Sequence, residues 1–524
     1  MVPSEVFLPL SDFERQLFTR LVPEDHFLRQ LGPLIDFERF RPALLEHYCP
    51  ELGRPALDPV MMLKLDLLSM HYRWSDRELM RHAQVNMAVR LFLDIGGDTK
   101  LPHHTSMTYF RERVGADAIQ QIFDGVVAQA RAMGLVRDRL RLKDATHVIA
   151  NIAVPTTIRL VAETRDAVLE AAEPFAPERV AYEWERADGI SAVANEDLPD
   201  EERLVRRVAH LRSVLLWADA LPASEGFRAG SDSSREKLRA ALELAHKVLC
   251  DRDDPEGGDK LLSAHDPDAR CGKHGAFFDG YLLDVSMDAD SEILTAVNVL
   301  PANGDEGGDA AFLIEQEEAA QGNDVEGISL DGAGYRGPVL RELTDPEGLS
   351  LEVFTPPTER IPLTVFGPEQ FTRGGDGKTL TCPAGQTTSH YERNGHGTGV
   401  KFRFSKKQCG GCVLRAQCLS NPQARSRTVI KNDYEAEYRR ARAKAQTPEY
   451  AAVRKEHPAI ERKLSELVRR HGLRHARYRG LPKVRRQALL TCTTVNLKRI
   501  VRLRTRAPKL EEAGTVRAEL VTTE

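Results

Sequence analysis

The stretch that most limits how this chain can fold is ISLDGAGYRG, residues 328 to 337. Ile328 and Leu330 flank the small Ser329 in the pattern of a short buried strand, and the run delivers Asp331 into a glycine-rich turn. Gly332 and Gly334 allow sharp turning and close backbone approach. A strand-end aspartate before glycine is also a common turn former, so the stretch alone predicts only a strand and its exit. Two more carboxylates sit in comparable settings: Asp144 in RLRLKDATHVIANIAV and Glu461 in HPAIERKLSELVRRHGLRHARYRG. Two strand-borne aspartates and one helix-borne glutamate suit divalent-metal phosphoryl transfer. Mg²⁺ prefers carboxylate oxygen, and two such ions about 3.5–4 Å apart can clamp the attacking and leaving oxygens of a phosphodiester. The three acids are separated by 331 − 144 = 187 and 461 − 331 = 130 residues, so their meeting in space is an expectation.

With 524 residues, 41% of them hydrophobic, the chain can bury large cores and divide into two to four domains. No apolar run approaches the roughly 20 residues that span a bilayer, and MVPSEVFLPLSDFERQ has acids where a signal peptide has basic residues. The expected location is cytoplasmic. The net charge of −5 is unevenly spread: Arg469 to Arg506 holds thirteen Lys and Arg and no acid, while ANEDLPDEER and DRDDPEGGDK are acidic runs. The basic stretch reads either as a polyanion-binding surface, with Arg469, Arg470, Arg474, Arg477, Arg479, Lys483, Arg485 and Arg486 as candidate DNA contacts, or as a solvated helix face.

Residues 1–135 read as a helical N-terminal domain. Asp58 and Pro59 suit an N-cap and first helical position, Ser75 with Glu78 forms a capping box, and Thr105 or Ser106 can cap the next helix. Several short helices fit either a helix-turn-helix DNA reader or a bundle used for dimer contacts. His103 and His104 read as capping or surface residues. Arg139 to Val154 predicts a strand holding Asp144, whose polar neighbour Lys143 needs a partner in a buried setting. Residues 156–263 form a charged helical insertion. Strands then follow at about 280–287 and 293–300, with a turn at 288–291, a helix at 309–320, and the Asp331 strand. That order predicts a mixed α/β sheet.

A second insertion, 357–431, contains Cys382, Cys409, Cys412 and Cys418, spaced C-x26-C-x2-C-x5-C. Four thiolates of this kind can close a tetrahedral structural Zn²⁺ site; an iron–sulfur centre and free thiols are the alternatives. Cys49, Cys250, Cys271 and Cys492 read as ordinary packing residues. Beyond Asn432 the chain is helical, with Ile460, Leu464 and Leu467 marking one face beside Glu461; Glu456 and Glu466 are its rivals. Residues 507–524 read as a disordered tail.

The assembled pieces resemble the DDE transposases of bacterial insertion sequences. The resemblance is carried by GRPALDPVMMLKLDLLSMHYRWSDRELM and LPHHTSMTYFRERV, by DATHVIANIAVPTT, DGYLLDVSMDADSEILTAVNVLPANGDE and SLDGAGYRGPVL, by CPAG with CGGCVLRAQC, and by IERKLSELVRRHGLRHARYRG and VNLKRIVRL. It implies a ribonuclease-H-like catalytic core over 136–506, with Asp144 on the first strand, Asp331 on the fourth and Glu461 on a late helix as catalytic metal ligands. It also implies Mg²⁺ or Mn²⁺ as cofactor, binding to terminal inverted repeats and target DNA, strand cleavage and strand transfer, and action as a homodimer or larger assembly. The family's Tyr, Arg and Lys around the glutamate are replaced by Arg454, His457 and Val468, with Arg469 adjacent. The competing expectations are an inactive or domesticated DNA-binding descendant and a metal-dependent nuclease without transfer activity.

Overall fold

The computed structural model describes residues 9–49, 56–194, 198–254, 257, 259–358, 365–395, 398–421 and 423–519. The front of the chain is helical, and its helices begin where the capping chemistry dictates. Asp58 accepts the Met61 N–H ahead of Pro59–Tyr72, and Ser75 and Glu78 form a reciprocal capping box on Asp76–Val85. The Thr105–Arg113 helix differs: its N-cap is His104, and the Thr105 hydroxyl bonds His103 Nδ1 at 2.9 Å instead of capping.

The central sheet has six strands: β1 (Arg141–Ile149), β2 (Arg270–His274), β3 (Ala276–Asp288), β4 (Leu294–Pro301), β5 (Gly327–Ser329) and β6 (Glu352–Phe354). Across the middle they run β4-β3-β1-β5-β6, and β2 forms a hairpin with the start of β3. β3 is antiparallel to β1, β2 and β4; β5 is parallel to β1 and to β6. The fold is therefore mixed α/β with a helical N-terminal region.

The two faces of β1 and β3 have different chemistry because side chains alternate along a strand. Leu142, Val148, Tyr281, Leu283 and Val285 enter the largest apolar core, which also takes in Leu28, Leu63 and Phe123 from the N-terminal helices and Ile460, Leu489 and Val501 from the last two. The boundary expected near residue 135 is thus no packing boundary. On the other face, Lys143 Nζ lies 2.8 Å from the Asp284 carboxylate, the partner this polar strand residue required. Nearby, the fully buried Arg141 donates to Glu317 of the Asp309–Gln321 helix at 2.6 Å.

Both insertions have cores of their own. Helices Thr157–Ala172, Asp200–Ala218 and Asp232–Asp253 pack Val168, Leu211, Val214 and Leu238 together. The cysteine-bearing segment gathers Phe371, Leu380, Phe402 and Phe404 between two three-stranded sheets. The last helix runs Leu481–Glu519 and so continues into the segment expected to be a disordered tail; residues 520–524 lie outside the described residues.

Candidate active site

β1 and β5 pair with Arg141 opposite Ile328 and Leu142 opposite Ser329. Advanced by two residues, the same register sets Asp144 level with Asp331, on the face that meets the Pro458–His471 helix. The Asp144 carboxylate accepts the Ala145 N–H at 2.8 Å. Asp331 leaves the strand by capping the Gly332–Gly334 turn, accepting the Ala333 N–H at 3.0 Å, while its carbonyl accepts the Thr355 hydroxyl at 2.8 Å. Glycine is needed in the turn and again at the start of the Gly337–Leu343 helix that follows it. A Cβ at Gly334 would lie 2.5 Å from Leu330, and one at Gly337 would lie 2.3 Å from Tyr434.

Glu461 is in the first turn of the Pro458–His471 helix, whose Ile460 and Leu464 are buried against the sheet. Burial pushes the Asp144 carboxyl up to about 7, and the negative charges of Asp331 and Glu461 add to the rise. The Ala145 N–H and Lys143 work in the opposite direction. All three expected acids therefore share one electrostatic environment. Among the described residues, no three His, Cys, Asp or Glu side chains are grouped closely enough to hold a metal ion. The acids share a field without yet sharing a coordination sphere. The rivals to Glu461 are committed elsewhere: Glu456 pairs with Arg139 at 2.7 Å and Glu466 with Lys498 at 2.7 Å.

Sequence reasoning missed the groups that hold the Asp331 strand. Arg454 donates to the Leu330 carbonyl at 2.8 Å and approaches the Ser329 hydroxyl at 3.3 Å; His457 Nδ1 lies 3.0 Å from that hydroxyl. Burial and Arg454 push the His457 imidazole down to about 4, against the pull of Asp331. The available signal was a serine inside an apolar strand, two residues before the aspartate.

Cys382, Cys409, Cys412 and Cys418 are free thiols that line one small cavity with Phe371, Phe404 and Leu419. Burial raises the Cys418 thiol, and the other three cysteines add to the rise. They too fall short of a grouping that would hold an ion. Of the remaining cysteines only Cys492 is buried; Cys49, Cys250 and Cys271 are exposed, contrary to the expectation that they pack inside.

The basic residues divide into two sets. Arg469, Arg470, Arg479 and Lys483 are exposed. Arg474 donates to the His147 carbonyl at 2.6 Å, and Arg477 is half-buried. Arg485 bonds Gln120 at 3.2 Å. Arg486 must be withdrawn as a DNA contact: it is buried, 2.7 Å from Asp66, and donates to the Val114 carbonyl.

Two family descriptions match the chain: a transposase domain (DUF772) over residues 16–113 and a transposase DDE domain over residues 381–501. The chain is related to the insertion-sequence DDE transposases. The DDE transposase match takes in the four cysteines and Glu461, while Asp144 and Asp331 precede it. No curated protein and no solved structure matches. No helix among the described residues is long and apolar enough to cross a membrane.

Proposed function

We propose that this protein is an insertion-sequence transposase that cuts and joins DNA ends at a metal-dependent site formed by Asp144, Asp331 and Glu461. The observation that carries the reading is the β1–β5 register, which levels Asp144 with Asp331 while Glu461 adds to the field on Asp144. The strand order β4-β3-β1-β5-β6, antiparallel on one side of β1 and parallel on the other, supports a ribonuclease-H-like core.

The donor set fits a hard divalent cation. Asp144, Asp331 and Glu461 are hard oxygen donors, and burial together with the negative charges of Asp331 and Glu461 raises Asp144, a surplus of charge that Mg²⁺ or Mn²⁺ would neutralise once the three acids close on it. When bound, such ions supply charge stabilisation to the phosphate and a nucleophile at neutral pH. The chain's own part is to hold three acids on rigid elements and to offer Arg469, Arg470, Arg479 and Lys483 as exposed cations for the DNA backbone. Phosphodiester cleavage at the terminal inverted repeats frees a 3′-hydroxyl, which then attacks target DNA, with a second copy of the chain at the other end.

Asp144→Ala and Asp331→Ala will each reduce Mn²⁺-dependent cleavage and joining of element-end DNA at least a hundredfold, with DNA affinity changed less than threefold in a mobility-shift assay. Full activity in either variant removes the assignment. Binding without cutting by the wild type would mark a domesticated descendant, and nicks without joined products a nuclease. The four cysteines that line one small cavity are of the soft type that takes structural Zn²⁺, although as placed they fall short of a grouping that would hold the ion. Elemental analysis should find one zinc per chain, and a metal-free protein with four alkylatable thiols excludes it.

A further inference from the structure

Ser329 is fully buried between Ile328 and Leu330, where an alanine would pack as well and carry no hydroxyl to satisfy. Its hydroxyl meets His457 Nδ1 at 3.0 Å and the Arg454 guanidinium at 3.3 Å. A guanidinium only donates. The Ser329 oxygen therefore accepts from Arg454, and its second bond is shared with His457 Nδ1, the direction following the tautomer of the ring.

The spacing of these contacts matches that of the acids. His457 is helical, at φ −50° and ψ −39°, and stands four residues before Glu461, a rise of about 6 Å. Ser329 stands two residues before Asp331, a rise of about 6.6 Å along an extended chain. A bond from His457 to Ser329 thus ties helix to strand one step behind the two acids, both of which act on the Asp144 carboxyl. Arg454, three residues before His457, fixes the same strand through the Leu330 carbonyl at 2.8 Å.

We propose that His457 and Ser329, braced by Arg454, are positioning residues that pin the Glu461 helix to the Asp331 strand and so set the separation of these two acids for divalent-cation binding. The proposal rests on the metal-dependent reading given above and names the groups that hold its ligands in register. The positions that carry Tyr and Arg in the family's glutamate motif hold, in this chain, side chains turned inward to the strand.

The test is a Mn²⁺ titration of the purified full chain without DNA, free Mn²⁺ being read by electron paramagnetic resonance and folding by thermal melts. Ser329→Ala and His457→Ala should each raise the half-saturating Mn²⁺ concentration about tenfold, and the double variant should be no weaker than the weaker single. His457→Asn, whose amide oxygen can accept the serine proton, and Ser329→Thr, which keeps the hydroxyl, should recover most of the affinity. Should the alanine variants lose their cooperative melts, the conservative pair decides: affinity within threefold of wild type supports the pin, and alanine-like loss overturns it. Losses that add in the double variant also overturn it. Wild-type Mn²⁺ binding by both alanine variants, alongside abolished binding in Asp331→Ala, removes the pin alone. Wild-type binding by Asp331→Ala removes the metal-site reading and the pin with it.

Discussion

Asp66 has no solvent exposure, yet burial is overcome by two guanidinium groups that hold its carboxyl below the usual range. Arg111 donates to one oxygen at 2.8 Å and Arg486 to the other at 2.7 Å. Arg111 also reaches Asp76 with two bonds of 2.8 Å. A buried ion pair gains little net stability over an apolar substitute, but removal of one partner strands the others at a cost of about 3–5 kcal/mol. Asp66→Ala leaves two cations facing each other and should lower the melting temperature by about 3–5 °C. A shift within one or two degrees would show that the arginines find other partners. The same residue explains why Arg486 was misread: nothing in VRRQALL distinguishes a cation facing solvent from one facing an aspartate more than 400 positions earlier.

At the scale of elements, the Pro59–Tyr72 and Pro458–His471 helices meet through two neutral histidines. His71 stacks on Phe27 with ring centroids 4.5 Å apart, and burial, helped by Lys498, His471 and His26, pushes it down to about 4. His471 lies 3.2 Å from the Met70 carbonyl through Nδ1 and 3.0 Å from Lys498 through Nε2, the arrangement of a neutral ring protonated at Nδ1. Burial and Lys498 lower it, while the Met70 carbonyl and Glu466 favour its charged form. Both folded values lie below the unfolded one, so the unfolded chain binds more protons as pH falls through about 6.5 toward 4. Stability at this junction is present above that window and lost on acidification. Melting temperatures should fall between pH 7 and pH 5, and less steeply in His71→Phe, which keeps the stack without the titrating ring. Equal slopes would place the acid sensitivity elsewhere.

Local signals were legible in the sequence wherever one element contained the whole cause. Asp58 with Pro59, Ser75 with Glu78, the two strands of the 280–300 hairpin and the 309–320 helix all carry their determinants within a few residues. Asp144 was legible as a strand-borne acid for the same reason, and Asp331 as the acid at a strand's exit, two residues past the end of β5. The His457–Ser329 bond and the Arg486–Asp66 pair were not, because each joins residues that only the tertiary fold brings together. Thr105 failed as a cap because His103, two residues earlier, captured its hydroxyl.

For the molecule as a whole, the two insertions are separable in packing and the ends of the chain are not. Residues 156–263, expressed alone, should give a helical circular-dichroism spectrum and a cooperative melt, since Val161, Val168, Leu211, Val214 and Leu238 close a core without help from the sheet. A non-cooperative melt would mean that the sheet completes that core. The largest core has the opposite character. Leu28, Leu63 and Phe123 from the first helices bury themselves against Val484, Leu489, Leu490, Val495 and Val501 from the last.

This sharing fixes the order of events during synthesis. Domains ordinarily fold from the front as the ribosome proceeds, but here the front helices wait for residues near 500 before their apolar faces are covered. A chain that stops short of residue 484 would leave Leu28, Leu63 and Phe123 without these partners and open to proteolysis. Closure of the largest core thereby waits until the segment near residue 500 has been made.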